Sequence, residues 1–220
     1  MPNEDIDYQL LEAARESKLD LLQQLVEAGG DVNASYREGI TSLFWAVCNK
    51  DEDMVGYLIE KGAQVNYNEF SERTALMDAA GVGQLKIMQM LLDAGAEVDL
   101  VIPASGETAL HKAVVANQKT AVKMLLDAGA DPNSKAVDGG ETAMFTGNAR
   151  LWGETPLHLA AAYADADVVQ MLLDAGADKT IANTHGELPL GYYSRHRYIA
   201  SWTNRNPECF QPREISELLT

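Results

Sequence analysis

One short phrase recurs five times, and that recurrence restricts the fold more than any other feature of the chain. Its clearest copy is Met124-Leu125-Leu126-Asp127-Ala128-Gly129-Ala130-Asp131. The others are Leu25-Val26-Glu27-Ala28-Gly29, Leu58-Ile59-Glu60-Lys61-Gly62-Ala63, Leu91-Leu92-Asp93-Ala94-Gly95-Ala96 and Leu172-Leu173-Asp174-Ala175-Gly176-Ala177. The glycines stand at 29, 62, 95, 129 and 176, so the steps are 33, 33, 34 and 47. A fixed period of about this size marks a stacked repeat architecture, in which each unit buries its apolar face only against a neighbour.

A second phrase alternates with the first. Its fullest copy is Thr155-Pro156-Leu157-His158-Leu159-Ala160-Ala161. Weaker copies begin at Thr41, Thr74 and Thr108, the last reading Thr108-Ala109-Leu110-His111. Threonine caps a helix by accepting a backbone N–H, and Pro156 at the first helical position loses a donor that the helix does not need. Val122, Leu125 and Leu126 fall at helical spacing, as do Val168, Met171 and Leu172, which predicts a second helix in each unit. Glycine then closes that helix in the left-handed conformation.

The two phrases in phase resemble the ankyrin-repeat family. Thr-Pro-Leu-His followed by Leu-Leu-x-x-Gly-Ala-Asp is that family's signature, and the resemblance covers roughly residues 8–200. It implies an all-α solenoid: stacked helix–turn–helix pairs joined by β-hairpin-like fingers, about six units including both caps. The expected organisation is a single domain over 1–220. An N-terminal cap occupies 1–34, and full repeats occupy 35–66, 68–99, 101–133 and 147–180. A degenerate repeat and C-terminal cap fill 181–220, where Gly186-Glu187-Leu188-Pro189-Leu190 replaces the usual helix start. Pro212-Arg213-Glu214-Ile215 is expected to open a last short helix, with Ile215, Leu218 and Leu219 packing back.

The 47-residue step locates an irregularity. Both the Thr step from 108 to 155 and the Gly step from 129 to 176 equal 47, so the extra residues lie between Gly129 and Thr155. They form an inserted finger, assigned to 134–153. Glu141-Thr142-Ala143 imitates a helix start, but no apolar helical pattern follows, so the segment reads as loop. Long loops in compact domains are commonly functional.

Composition narrows the function classes. The net charge of −16 disfavours nucleic acid and anionic membranes as partners. No apolar run approaches the ~20 residues that span a bilayer, and the polar acidic start Met1-Pro2-Asn3-Glu4-Asp5 carries no secretory pattern. Cys48 and Cys209 are far apart, which fits a reducing compartment. The expectation is therefore a cytoplasmic monomer, with secretion into a host cell left open.

No catalytic motif is present: no Gly-x-Ser-x-Gly, no phosphate-binding glycine loop and no His-Glu-x-x-His. No enzyme activity, cofactor or metal is expected. The resemblance gives His111 and His158 a local structural role. It also aligns Asn33 with a position that asparaginyl hydroxylases modify, although a structural role is the commoner one.

The resemblance implies protein binding through a concave groove lined by finger tips and first helices. Carried over by position, these are Tyr36, Arg37, Ile40, Phe70, Arg73, Glu107, Val115, Trp152, Glu154, Tyr163, His185, Glu187, Arg195 and His196. Phe145 and Leu151 join Trp152 in the long finger. The favoured partner-binding set is Tyr36, Arg37, Phe70, Arg73, Phe145, Leu151, Trp152, Tyr163, Arg195 and His196, because Tyr, Trp and Arg dominate binding hot spots. A second reading is an acidic mimic or inhibitor that masks a basic surface, such as a bacterial effector would use.

Overall fold

The computed structural model describes residues 4–36, 39–66, 73–101, 105–137, 152–192 and 212–220, with backbone alone at 4, 36, 212 and 213. These residues form helices in pairs. The chain groups into two compact units, Met1–Ala79 with Gln84–Glu97 and Ala80–Gly83 with Val98–Thr220.

The first unit opens with α1 (Glu4–Arg15) and α2 (Leu19–Glu27), the pair expected of an N-terminal cap. Arg15, Glu16 and Lys18 are exposed, as a polar outer side requires. A short antiparallel pair follows, β1 (Ser35–Tyr36) against β2 (Ile40–Thr41), with Ser35 opposite Thr41. Then come α3 (Ser42–Cys48) and α4 (Glu52–Glu60). Thr41 caps α3, its hydroxyl accepting the Phe44 N–H at 3.2 Å. Asp51 caps α4 by accepting the Met54 N–H at 3.0 Å. α5 (Ala75–Val82) begins in this unit behind Thr74, which accepts the Met77 N–H at 3.1 Å, and α6 (Leu85–Asp93) completes the unit. α1 packs on α2 and α3, α3 on α4, and α4 on α6.

The second unit holds α7 (Ala109–Val115), α8 (Lys119–Asp127), α9 (Pro156–Tyr163) and α10 (Ala166–Asp174). A helical turn begins at 189, where Pro189 replaces the Thr-Pro start. The last helix, α11 (Pro212–Leu219), packs on α10 with Ile215 and Leu219 buried. Within the unit α7 packs on α8 and α9, and α10 packs on α8 and α9.

The five-fold phrase now has a physical division. Its first leucine is core: Leu58, Leu91, Leu125 and Leu172 are all fully enclosed. Its carboxylate is exterior: Glu27, Glu60, Asp93, Asp127 and Asp174 are exposed. Its glycine ends the helix. At Gly129, with φ +92, the Gly129 N–H reaches the Leu126 carbonyl and the Ala130 N–H reaches that of Leu125, both at 3.0 Å. The carbonyls left over at the helix end are thereby satisfied.

Asparagine side chains tie each finger to the next. The Asn33 amide donates to the Gly62 carbonyl (3.1 Å) and its Oδ1 accepts the Gln64 N–H (2.8 Å). Asn66 does the same with Gly95 and Glu97, and Asn133 with Gly176 and Asp178. Asp99 takes this place once. It accepts the Asp131 N–H at 3.1 Å, and burial holds its carboxyl above the usual range.

Backbone hydrogen bonds hold the chain on either side of residues 138–151. The Ala136 N–H bonds the Glu154 carbonyl at 2.9 Å, and the Val137 N–H bonds that of Ser105 at 2.7 Å. Residues 136 and 137 on one side and 154 on the other are thus bonded to the repeat framework, and 138–151, within the finger expected over 134–153, lies outside the described residues. Gly106 sits at this junction with φ +64, and a Cβ there would meet the Val137 backbone nitrogen at 2.6 Å. A Cβ at Gly129 would meet nothing within 4 Å. Gly106→Ala is thus expected to cost at least ~1–3 kcal/mol of stability, more than Gly129→Ala, which bears the conformational cost alone. Equilibrium urea unfolding of the two variants checks the order.

Candidate protein-binding site

The start of each first helix in the second unit is a side-chain network rather than a simple cap. The Thr108 N–H donates to His111 Nδ1 at 3.1 Å, and the Thr108 hydroxyl lies 2.9 Å from the same nitrogen. An Nδ1 that accepts a backbone N–H carries no proton, so Nε2 carries it. That Nε2–H points at the Glu154 carbonyl, 3.4 Å away in the following repeat. Thr155 and His158 repeat the arrangement, with His158 Nε2 3.0 Å from the Glu187 carbonyl. Both imidazoles are buried, neutral and fully used. Burial lowers the His111 pKa from 6.5 to about 4, and burial also lowers that of His158.

The residue before each of these threonines is acidic. Glu107 is 2 % exposed and pairs with Lys112 at 2.6 Å. Glu154 is 0 % exposed, and its Oε2 accepts the Trp152 N–H at 2.6 Å. Glu187 is half-buried, and Asn183 lies beside it, accepting the His185 and Glu187 N–H groups at 3.0 Å. Glu107, Glu154 and Val115 were expected to line the surface, and the structure corrects this: all three are enclosed. Glu107 turns inward to Lys112, Glu154 turns back over the chain at Trp152, and Val115 is buried on α7.

Of the residues expected to contact a partner, Arg73, Trp152 and Tyr163 have described side chains. Arg73 is exposed and forms an ion pair with the buried Asp78, one turn into α5. In the second unit, Trp152 is half-buried and meets the exposed His185 edge-on, with ring centroids 4.5 Å apart. Tyr163, also half-buried, hydrogen bonds Tyr192. Tyr192 packs edge-on against His158 at 5.7 Å, and burial, followed by the charge of Glu154, raises its phenol pKa. One cluster thus joins Trp152, Tyr163, His185 and Glu187 at its exposed side to Glu154 and Tyr192 inside. The side chains of Tyr36, Arg37, Phe70, Phe145, Leu151, Arg195 and His196 lie outside the described residues. The sequence reading missed Tyr192 and the inward turn of both glutamates. Only Lys112, where α9 has Leu159, hinted at a buried charge.

Asn33 is engaged at both polar atoms of its side chain, which accounts for it structurally. Among the described residues, no group of three or more His, Cys, Asp or Glu could hold a metal ion. None of the described helices is long and apolar enough to cross a membrane.

The buried histidines set a pH dependence. His111 titrates lower in the folded chain than in the unfolded one, so the unfolded state takes up its proton first as pH falls. The stability that neutral His111 preserves is complete above pH 6.5 and is lost progressively down to about pH 4, on the order of 3 kcal/mol in all. His158 acts in the same direction. Urea unfolding followed from pH 7 to 4 should show the loss, and His158→Gln should flatten part of it.

Sequence patterns for ankyrin repeats (3 copies) match residues 10–102 and 72–136, and one for ankyrin repeats (many copies) matches 146–192. Ankyrin repeat domain-containing protein SAT10 of Stachybotrys chartarum is 35 % identical over 99 residues, 45 % of this chain and 5 % of that protein. RelA-associated inhibitor of Mus musculus is also 35 % identical over 99 residues, 45 % of this chain and 12 % of that protein. The chain therefore spans only a small part of the length of these relatives. A solved ankyrin repeat domain from Acinetobacter baumannii AYE superposes with a TM-score of 0.75 at 26 % identity, covering 96 % of both chains. Ankyrin repeats are protein–protein interaction modules, a fold generally used as a non-catalytic scaffold. With both phrases in phase, helix pairs capped by Thr and closed by Gly, and matched patterns over most of its length, the chain belongs to the ankyrin-repeat family.

Proposed function

We propose that the chain is a non-catalytic binding module that holds a partner protein through the exposed side of its first helices and its long finger. The observation that carries this is the cluster around Trp152 in the second unit. A half-buried tryptophan meets an exposed histidine edge-on, and a half-buried tyrosine is held by a hydrogen bond to Tyr192. Such aromatics present large contact area at little cost in conformational freedom, and residues of this kind carry most of the energy of an interface. Trp152 also stands immediately after residues 138–151 in sequence, and Phe145 and Leu151 of that segment belong to the proposed contact set. Tyr36, Arg37, Phe70, Arg73, Arg195 and His196 complete the proposed contact set. The module acts as a monomer in the cytoplasm.

A second reading is favoured by the exposed carboxylate that every repeat presents at the end of its second helix. In it, the acidic exterior masks a basic surface of the partner. The two differ in salt dependence, because an interface made by distributed surface charge weakens steeply as salt is raised.

The test is affinity capture from native cell extract with wild type, a Trp152→Ala, Tyr163→Ala double variant and a form lacking 139–151. The partner retained by wild type should bind the double variant more weakly by on the order of 2 kcal/mol or more. Undiminished binding by both altered forms, with folds intact by circular dichroism, would sink the proposal.

A further inference from the structure

The residue before each first-helix threonine and the residue four after it form a repeating pair of positions. They are occupied by Ile40 and Trp45, Arg73 and Asp78, Glu107 and Lys112, and Glu154 and Leu159. Where the pair holds charges, it holds opposite ones. Arg73 bridges to Asp78, and Glu107 to Lys112, the latter with side chains only 3 % and 4 % exposed. Glu154 breaks this rule. It is as enclosed as Glu107, but the position of the cation holds Leu159.

The consequence is visible at its two oxygens. Oε2 accepts the Trp152 N–H, whereas Oε1 is buried with no hydrogen-bond partner. A carboxylate oxygen enclosed in this way is costly unless something compensates it. Its neighbours are aromatic residues: Trp152, bonded to it through its backbone N–H, and Tyr192, whose phenol feels its charge and hydrogen bonds Tyr163. Trp152, Tyr163 and His185 are the members that reach the surface.

We propose that Glu154 receives a lysine or arginine side chain of the partner protein, which enters beside Trp152 and pairs with Oε1 much as Lys112 pairs with Glu107. Three features select a cationic side chain of a protein. The free acceptor is a carboxylate oxygen, for which an ammonium or guanidinium donor makes a charge-assisted bond. The ring faces of tryptophan and tyrosine attract cations. The net charge of −16 draws a basic segment towards the site. This inference rests on the protein-binding reading above and specifies the chemistry of the partner.

The experiment titrates a tetraarginine peptide, with tetraglutamate as control, into the whole chain at 0.15 M salt. Binding is followed calorimetrically and by the NMR signal of the Trp152 indole, assigned with Trp152→Phe. Tetraarginine should bind and shift that signal, and Glu154→Gln should weaken it about tenfold. Leu159→Lys should do the same while keeping or raising the thermal midpoint, because the chain then supplies its own cation. Leu159→Lys also keeps the test decisive if Glu154→Gln does not fold. Diffuse attraction gives a different result, since Glu154 is one of 33 acidic residues. Wild-type affinity in either folded variant overturns the inference. In the extract assay, loss of the partner with Trp152→Ala but not with Glu154→Gln would remove this inference and leave the protein-binding reading standing.

Discussion

Each repeat depends on polar bonds that run from a side chain of one repeat to the backbone of the next. An asparagine in one finger donates to the glycine carbonyl that ends the next second helix and accepts an N–H two residues further on. A histidine at the start of one first helix donates to the carbonyl before the next. Hydrophobic burial drives helix pairs together without direction, whereas these bonds fix the spacing and register of neighbours. They also satisfy backbone groups that no helix or sheet ladder reaches. The core leucine recurs in all five copies, whereas the position beside it varies (Val26, Ile59) and the asparagine position admits Asp99 and Thr180. Asp99 shows the limit of substitution. A carboxylate reproduces the acceptor but has no amide donor for the carbonyl at Gly129.

The same economy places the first helices. Histidine serves because it can accept on one nitrogen while donating from the other, and only the neutral ring does both. Locking it neutral inside the fold joins local geometry to solution pH. The glutamates before Thr108 and Thr155 are drawn into the same crowded corner, which explains why charge there is buried, although the position lies next to a finger.

Much of this was legible in the residues. The phrase containing Leu125 and Gly129 gave the helix, its buried face and its end, because periodicity and glycine conformation act locally. Thr41 and Thr74 were readable as caps for the same reason. The 47-residue step placed the insertion between Gly129 and Thr155, and the described residues Ala136 and Val137 there are bonded to Glu154 and Ser105. What stayed hidden depends on contacts between repeats. Glu107 and Glu154 occupy a position that simple alignment places at the surface, and only the path of the side chain decides that they turn inward. Tyr192 was unreadable because its place depends on His158 and Tyr163, which are distant in sequence. Among the candidate contact residues, Arg73, Trp152 and Tyr163 could be placed, and Trp152 proved to be tied through its backbone to the buried glutamate.

The junction at Ala136 and Glu154 has a consequence for how such a protein can change over time. Because the chain meets itself there by direct backbone bonding, that closed gate holds its two ends together whatever number of residues separates them. The entropy of closing a flexible loop rises only logarithmically, by about 0.6 kcal/mol for each doubling of its length. Insertions and deletions at that gate are therefore nearly neutral for folding, whereas the same changes inside a helix would shift every following register. Lineages can exchange one segment for another at this point while inheriting the scaffold intact, so that new sequence is accommodated by replacing a tassel rather than by reweaving the cloth.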